Sequence, residues 1–147
     1  MNKAQEVKDI ANKYFGAKEL SCCESCVKAI KDAYELPFDD EILKLATGLA
    51  GGIGGQGCIC GALSGAVMGL GLIYGRSVPG ADRSQMMQLG KELYEHFEEN
   101  FSFFCCRTQL KDFASKDAPE ARAHCTNLIE SMLDKACELI EREGLPE

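Results

Sequence analysis

Gly51-Gly52-Ile53-Gly54-Gly55-Gln56-Gly57-Cys58-Ile59-Cys60-Gly61-Ala62-Leu63-Ser64-Gly65 lies inside a span, Lys44 to Arg76, that carries no charge between its ends. The run reads as a glycine-rich loop that delivers two cysteines to the start of a small-residue helix. From about Cys60 to Tyr74 that helix sets Gly61, Gly65 and Gly69 four apart on one face, with Ala62 and Ala66 beside them. Positions i and i+4 share a face, so a neighbouring helix can come close to this backbone. Glycine within a helix forfeits about 1 kcal/mol relative to alanine, so packing or a ligand has to offset the stripe. The stripe permits close packing within one chain or across a homodimer.

Outward from this centre the chain reads as helix after helix. Val7, Ile10, Ala11, Tyr14 and Phe15 recur at helical spacing, and Gly16 ends the segment. Ser21 caps a second helix running to about Glu35, before Pro37. Asp39 and Asp40 open a third, from Glu41 to about Gly48. Asp82 or Ser84 caps a fifth through about Asn100, with Met86, Leu89, Leu93, Phe97 and Phe101 as its apolar stripe. A short helix from Cys106 to Phe113 and a long one from Pro119 to about Arg142 complete the chain, the proline suiting a first-turn position. The run Phe101 to Cys106 lacks a strand to pair with. The expected fold is all-α: one domain over residues 1–147, a compact bundle of about six or seven helices with the glycine loop before a buried central helix.

Composition limits the function. A content of 46% hydrophobic residues in 147 supplies a core. Sixteen basic against 23 acidic residues leave a net charge of -7, which argues against nucleic acid as a partner. The uncharged span is long enough to cross a bilayer, but its glycine cluster would set irregular backbone where lipid cannot satisfy it, so no membrane insertion is expected. The charged start, Met1 to Lys8, lacks the apolar core of a signal peptide, and the expected location is cytoplasmic.

Nine cysteines in such a chain point away from a disulfide framework, leaving metal ligation, redox catalysis and burial. Cys22, Cys23 and Cys26 fall in the first turns of the second helix. The Cys23-x-x-Cys26 pair resembles an oxidoreductase motif only superficially, because no strand precedes Ser21. Cys58 and Cys60 sit where unpaired N–H groups and a positive helix end favour a thiolate. The loop lacks the Gly-Lys-Ser/Thr end of a phosphate-binding loop. Cys105 and Cys106 precede Arg107, a cation able to lower a thiolate pKa. Cys125 shares a stripe with Ile129, Met132, Ala136 and Ile140, and Cys137 lies on its flank. His96 sits among glutamates and is expected to be solvated. His124 points away from Cys125 on a helix, which disfavours a Cys-His hydrolase.

The glycine run followed by Cys60-Gly61-Ala62-Leu63-Ser64-Gly65 resembles the CGAxxG motif of the redox-active C_GCAxxG_C_C family. Cys22-Cys23-Glu24-Ser25, Leu70-Gly71-Leu72-Ile73-Tyr74-Gly75-Arg76, Cys106-Arg107 and Cys125 extend the likeness over nearly the whole chain. A similar domain occurs in split-Soret cytochromes, linked to an iron-sulfur centre; the Cys-x-x-Cys-His signature of haem attachment is absent here. The resemblance implies a site of four cysteines, Cys22, Cys60, Cys106 and Cys125, with Cys26, Cys58 and Cys105 as accessory candidates. If the helix ends that bear them meet, four thiolates suit an iron-sulfur cluster or tetrahedral zinc. Gly57, Gly61 and Gly65 would allow backbone to approach the bound group, and Arg107 would balance its charge. The leading expectation is electron transfer with a redox partner protein or a small-molecule donor. The alternatives are a metal-free thiol oxidoreductase or redox sensor, with Cys60 and Cys22 as catalytic thiols and Cys58, Cys22 or Cys106 resolving Cys60, and a non-catalytic helical interaction module with buried cysteines.

Overall fold

The computed structural model describes residues 2–147. Its elements are α1 (Lys3–Gly16), α2 (Cys22–Ala33), a 3-10 turn (Asp40–Leu43) running into α3 (Lys44–Thr47), α4 (Gly61–Tyr74), α5 (Ser84–Phe101), α6 (Cys106–Gln109) and α7 (Pro119–Glu143). No strand occurs among the described residues, so the all-α expectation holds. No helix among them is long and apolar enough to cross a membrane.

The caps follow from side-chain chemistry. Asn2 accepts the Gln5 N–H at 2.7 Å to start α1. Ser21 and Glu24 form a reciprocal capping box at the head of α2, satisfying two otherwise orphaned donors. The second carboxylate oxygen of Glu24 accepts the Thr47 hydroxyl at 3.0 Å, which ties α3 to the same end of α2. Asp82 accepts the Ser84 N–H at 2.9 Å and its hydroxyl at 2.6 Å, opening α5.

Three boundaries differ from expectation. The second helix stops at Ala33, two residues early, because Glu35 takes a left-handed backbone with φ 51°. The third helix is a 3-10 turn plus one α turn, and α6 is a single turn that Leu110 leaves with φ -105° and ψ 6°.

The core gathers on α4. It packs on α2, α5 and α7, while α1 covers α2 and α7. Leu63, Ala66 and Leu70 of α4 join Leu89, Leu93 and Phe97 of α5 and Ile129, Met132 and Leu133 of α7 in one apolar cluster.

The glycine stripe faces α2. A Cβ on Gly61 would stand 2.8 Å from the Cβ of Cys22, and one on Gly65 would stand 2.7 Å from that of Cys26. One on Gly69 would strike Ile30. Each glycine meets the α2 residue one turn further along, so α2 and α4 run parallel and their N-termini lie at the same end. The close approach is therefore intrachain. Gly65→Ala should lower stability by about 1–3 kcal/mol through overpacking, since its Cβ would also sit 2.8 Å from the Cys23 carbonyl oxygen. Gly71→Ala, on the open face of the same helix, should instead raise stability by about 0.5–1 kcal/mol. Urea midpoints of the two variants check both signs.

Candidate functional site

Parallel packing sets Cys22, the first residue of α2, beside Cys60, the N-cap of α4. The other two cysteines arrive by a different device. The segment Gly57–Cys60 lies against Phe104–Arg107: the Cys60 N–H donates to the Phe104 carbonyl at 2.6 Å and the Arg107 N–H to that of Gly57 at 3.0 Å. A disulfide between Cys58 and Cys105, with Cα atoms 4.1 Å apart, fastens the two segments. The run 101–106 thus has a partner after all, although no strand forms. That pairing lays Cys106 beside Cys60, and α7 brings Cys125 up from the far side.

Cys22, Cys60, Cys106 and Cys125 all line one void of about 20 Å³. Within it they act as two pairs. Cys60 stands within proton-sharing reach of Cys106, and that interaction holds the Cys106 thiol down at about 6, against the cost of burial and with help from the N–H groups of Gly61 and Cys106; when protonated, Cys106 donates to the Ile59 carbonyl at 3.8 Å. Cys60 shifts the other way, upward, because the negative charge is given to Cys106 and Cys60 is only 3% exposed. The N–H groups of Ala62 and Leu63 oppose that rise without reversing it. Cys22 stands likewise within reach of Cys125, which is lowered first by that interaction, is opposed by its burial and the Cys106 charge, and is aided by Arg122. Cys22 is raised in turn. The thiolate expected on Cys60 therefore falls on Cys106, since the helix-end cysteine is the more buried of the pair.

The remaining cysteines play other parts. Cys58 and Cys105 are joined, although the cysteine usage pointed away from a disulfide framework; the bond removes both as accessory metal ligands and Cys58 as a partner for Cys60. Cys23 packs 3.6 Å from the Met68 sulfur, Cys26 is fully buried, and burial raises both thiols. Cys23-x-x-Cys26 is thus packing. Cys137 is buried, and burial raises its thiol against the opposing pull of Tyr34. His96 is half-buried, with Nε2 3.0 Å from the Ser131 hydroxyl, because α5 lies on α7; it is not solvated as expected. His124 bonds Gln109 at 2.8 Å.

The glycine loop bonds itself. The N–H groups of residues 52 to 58 all donate to carbonyls of Gly48 to Ile53, which leaves none of these seven for an outside anion. Gly57, buried and at φ 88°, lets the Arg107 side chain cross it, where an added Cβ would lie 2.8 Å from the Cβ of Arg107. Gly61 touches the Cys22 turn, and Gly65 faces Cys26 away from the void. Arg107 donates to the Gln56 carbonyl at 3.3 Å. The cation that acts on a thiol lining the void is Arg122, which sequence reasoning missed; its place three residues before Cys125, on the same helical face, was the available signal.

In front of the void opens a cavity of about 510 Å³, walled by the glycine loop and reaching Cys22, Cys106 and Cys125. Comparison with known proteins now supplies a frame. A family model described as "Putative redox-active protein (C_GCAxxG_C_C)" matches residues 20–139. The chain belongs to this C_GCAxxG_C_C family. No curated protein and no solved structure matches it.

The donors fit a metal in kind but not in arrangement. Four thiols are the right chemistry for an iron-sulfur cluster or zinc. Among the described residues, however, no three His, Cys, Asp or Glu side chains stand so as to hold one ion. The void is sized for about one water, so a cluster requires the two pairs to part.

If the Cys60 donor sets the Cys106 charge, alkylation of Cys106 in the protein should rise through a midpoint near pH 6 and level off above it. In Cys60→Ala the midpoint should move up toward the ordinary thiol value of 9.0. Iodoacetamide labelling against pH, read by peptide mass spectrometry, checks the shift.

Proposed function

We propose that this redox-active family member exchanges electrons through its paired cysteines, as a thiol-disulfide oxidoreductase or redox sensor. The observation that carries the reading is the pairing itself: four cysteines on one shared void, with buried Cys60 behind half-buried Cys106 and the half-buried Cys22 and Cys125 beside each other, one thiol of each couple shifted down and the other up. A thiolate beside a thiol is the reduced half of a dithiol couple. Oxidation joins Cys60 to Cys106, or Cys22 to Cys125, and releases two electrons and the proton held between the sulfurs. Cys106 and Cys125 are the attacking sulfurs, Cys60 and Cys22 the resolving ones.

A second reading gives the same four sulfurs an iron-sulfur cluster or a zinc ion, for electron transfer. Convergence of four separate chain segments on one void favours it, as do the N–H groups of Gly61, Ala62 and Leu63 directed at sulfur. Gly57 and Arg107 would then stand at the rim of the bound group. Its cost is the separation of both pairs.

Mild oxidation of the reduced protein should yield Cys60–Cys106 and Cys22–Cys125 disulfides on peptide mapping, and Cys106→Ser should abolish the first alone. Protein purified without oxygen and then offered iron and sulfide should remain colourless. Stoichiometric iron and acid-labile sulfide, lost on substituting the four cysteines, would replace the thiol reading with the second.

A further inference from the structure

The cavity before Cys106 has a charge that the rest of the chain does not. Arg107, Lys116 and Arg122 line it, against the single carboxylate of Asp117, in a protein of net charge -7. None of the three cations has an ion-pair partner among the described residues. Arg122 is held in place by the Phe15 carbonyl, to which it donates, and by the Phe15 ring, 3.8 Å from its guanidinium carbon. Leu110 and Phe113 supply apolar wall. A volume of about 510 Å³ is that of a small-molecule site.

The sulfurs are ordered along the entry path. Cys106 borders both the cavity and the void, whereas Cys60 borders the void alone. Of the Cys60–Cys106 couple, a molecule in the cavity can reach only Cys106, with Cys60 behind it on the void.

Resting on the thiol reading above, we infer that the cavity binds a low-molecular-mass disulfide bearing carboxylates, and that Cys106 is the residue that opens it. The Cys106 thiolate attacks one substrate sulfur; the substrate S–S bond breaks and one thiolate leaves, taking a proton from solvent. Cys60 then attacks the Cys106 sulfur from behind, its proton passing to the second departing thiol. Two protein thiols are oxidised to the Cys60–Cys106 disulfide, and one substrate disulfide is reduced to two thiols. The three cations hold the carboxylates, which the net charge of the whole chain would repel.

Three disulfides of similar size and opposite charge test this: 3,3'-dithiodipropionate (anionic), 2-hydroxyethyl disulfide (neutral) and cystamine (cationic). Rates with the reduced full chain, each divided by the rate with free dithiothreitol to remove leaving-group differences, should fall in that order. The anionic compound should lead the neutral one by about tenfold, the low end of electrostatic steering, and salt should shrink the gap. The first adduct should map to Cys106. In the double variant Arg107→Glu with Lys116→Glu, both surface-exposed positions, the ratio of anionic to neutral rates should drop below one. Closure of Cys60–Cys106 by all three compounds with no preference, or with cystamine fastest, overturns the assigned substrate class and leaves the thiol reading standing. Failure of all three to oxidise either pair in folded protein overturns the thiol reading itself.

Discussion

Everything at the site depends on the close, parallel contact of α4 with α2. Parallel helices bring like ends together, so the two positive helix ends that bear Cys22 and Cys60 share one corner of the molecule. A side chain at Gly61 or Gly65 would push that corner apart, because backbone as well as Cys22 and Cys26 stands within 3 Å of the missing Cβ. The uncharged helix is therefore less a membrane span than a surface shaped to be approached, and its glycines serve the cysteines through geometry.

A helix end that favours negative charge does not by itself decide which sulfur carries it. Cys60 is nearest the α4 terminus, but it is also sealed from solvent, and an ion there loses hydration that the N–H groups of Ala62 and Leu63 do not replace. Cys106, one hydrogen bond away and half-exposed, takes the charge while still receiving the Gly61 N–H. The burial gradient and the dipole thus act in series: the helix end stabilises the pair, and exposure selects the member.

Much of this was legible from residue order. Caps such as Ser21 with Glu24 and stripes such as Leu89, Leu93 and Phe97 are local signals, and they located the helices to within a few residues. The four site cysteines, identified by resemblance to the family, do line one void. What escaped was non-local. The pairing of Gly57–Cys60 with Phe104–Arg107 rests on two backbone hydrogen bonds and the Cys58–Cys105 bond between segments far apart in the chain, and no periodicity encodes it. The direction of the glycine stripe, toward α2 rather than a second copy, also needed the three-dimensional register. His96 misled for the same reason: its glutamate neighbours in sequence are not its neighbours in space.

The two cysteine pairs are not independent. The Cys106 charge raises the Cys125 thiol, and the Cys22 thiol feels Cys60 as well as Cys125. Two thiolates facing one small void repel, so the first ionisation discourages the second. A Cys60–Cys106 disulfide, on the proposed thiol reading, would remove the Cys106 charge that raises the Cys125 thiol. On the proposed thiol reading, the pairs are therefore coupled in sequence, with oxidation of one preparing the other. Cys58–Cys105 stands outside the four-cysteine void and keeps the two segments in register.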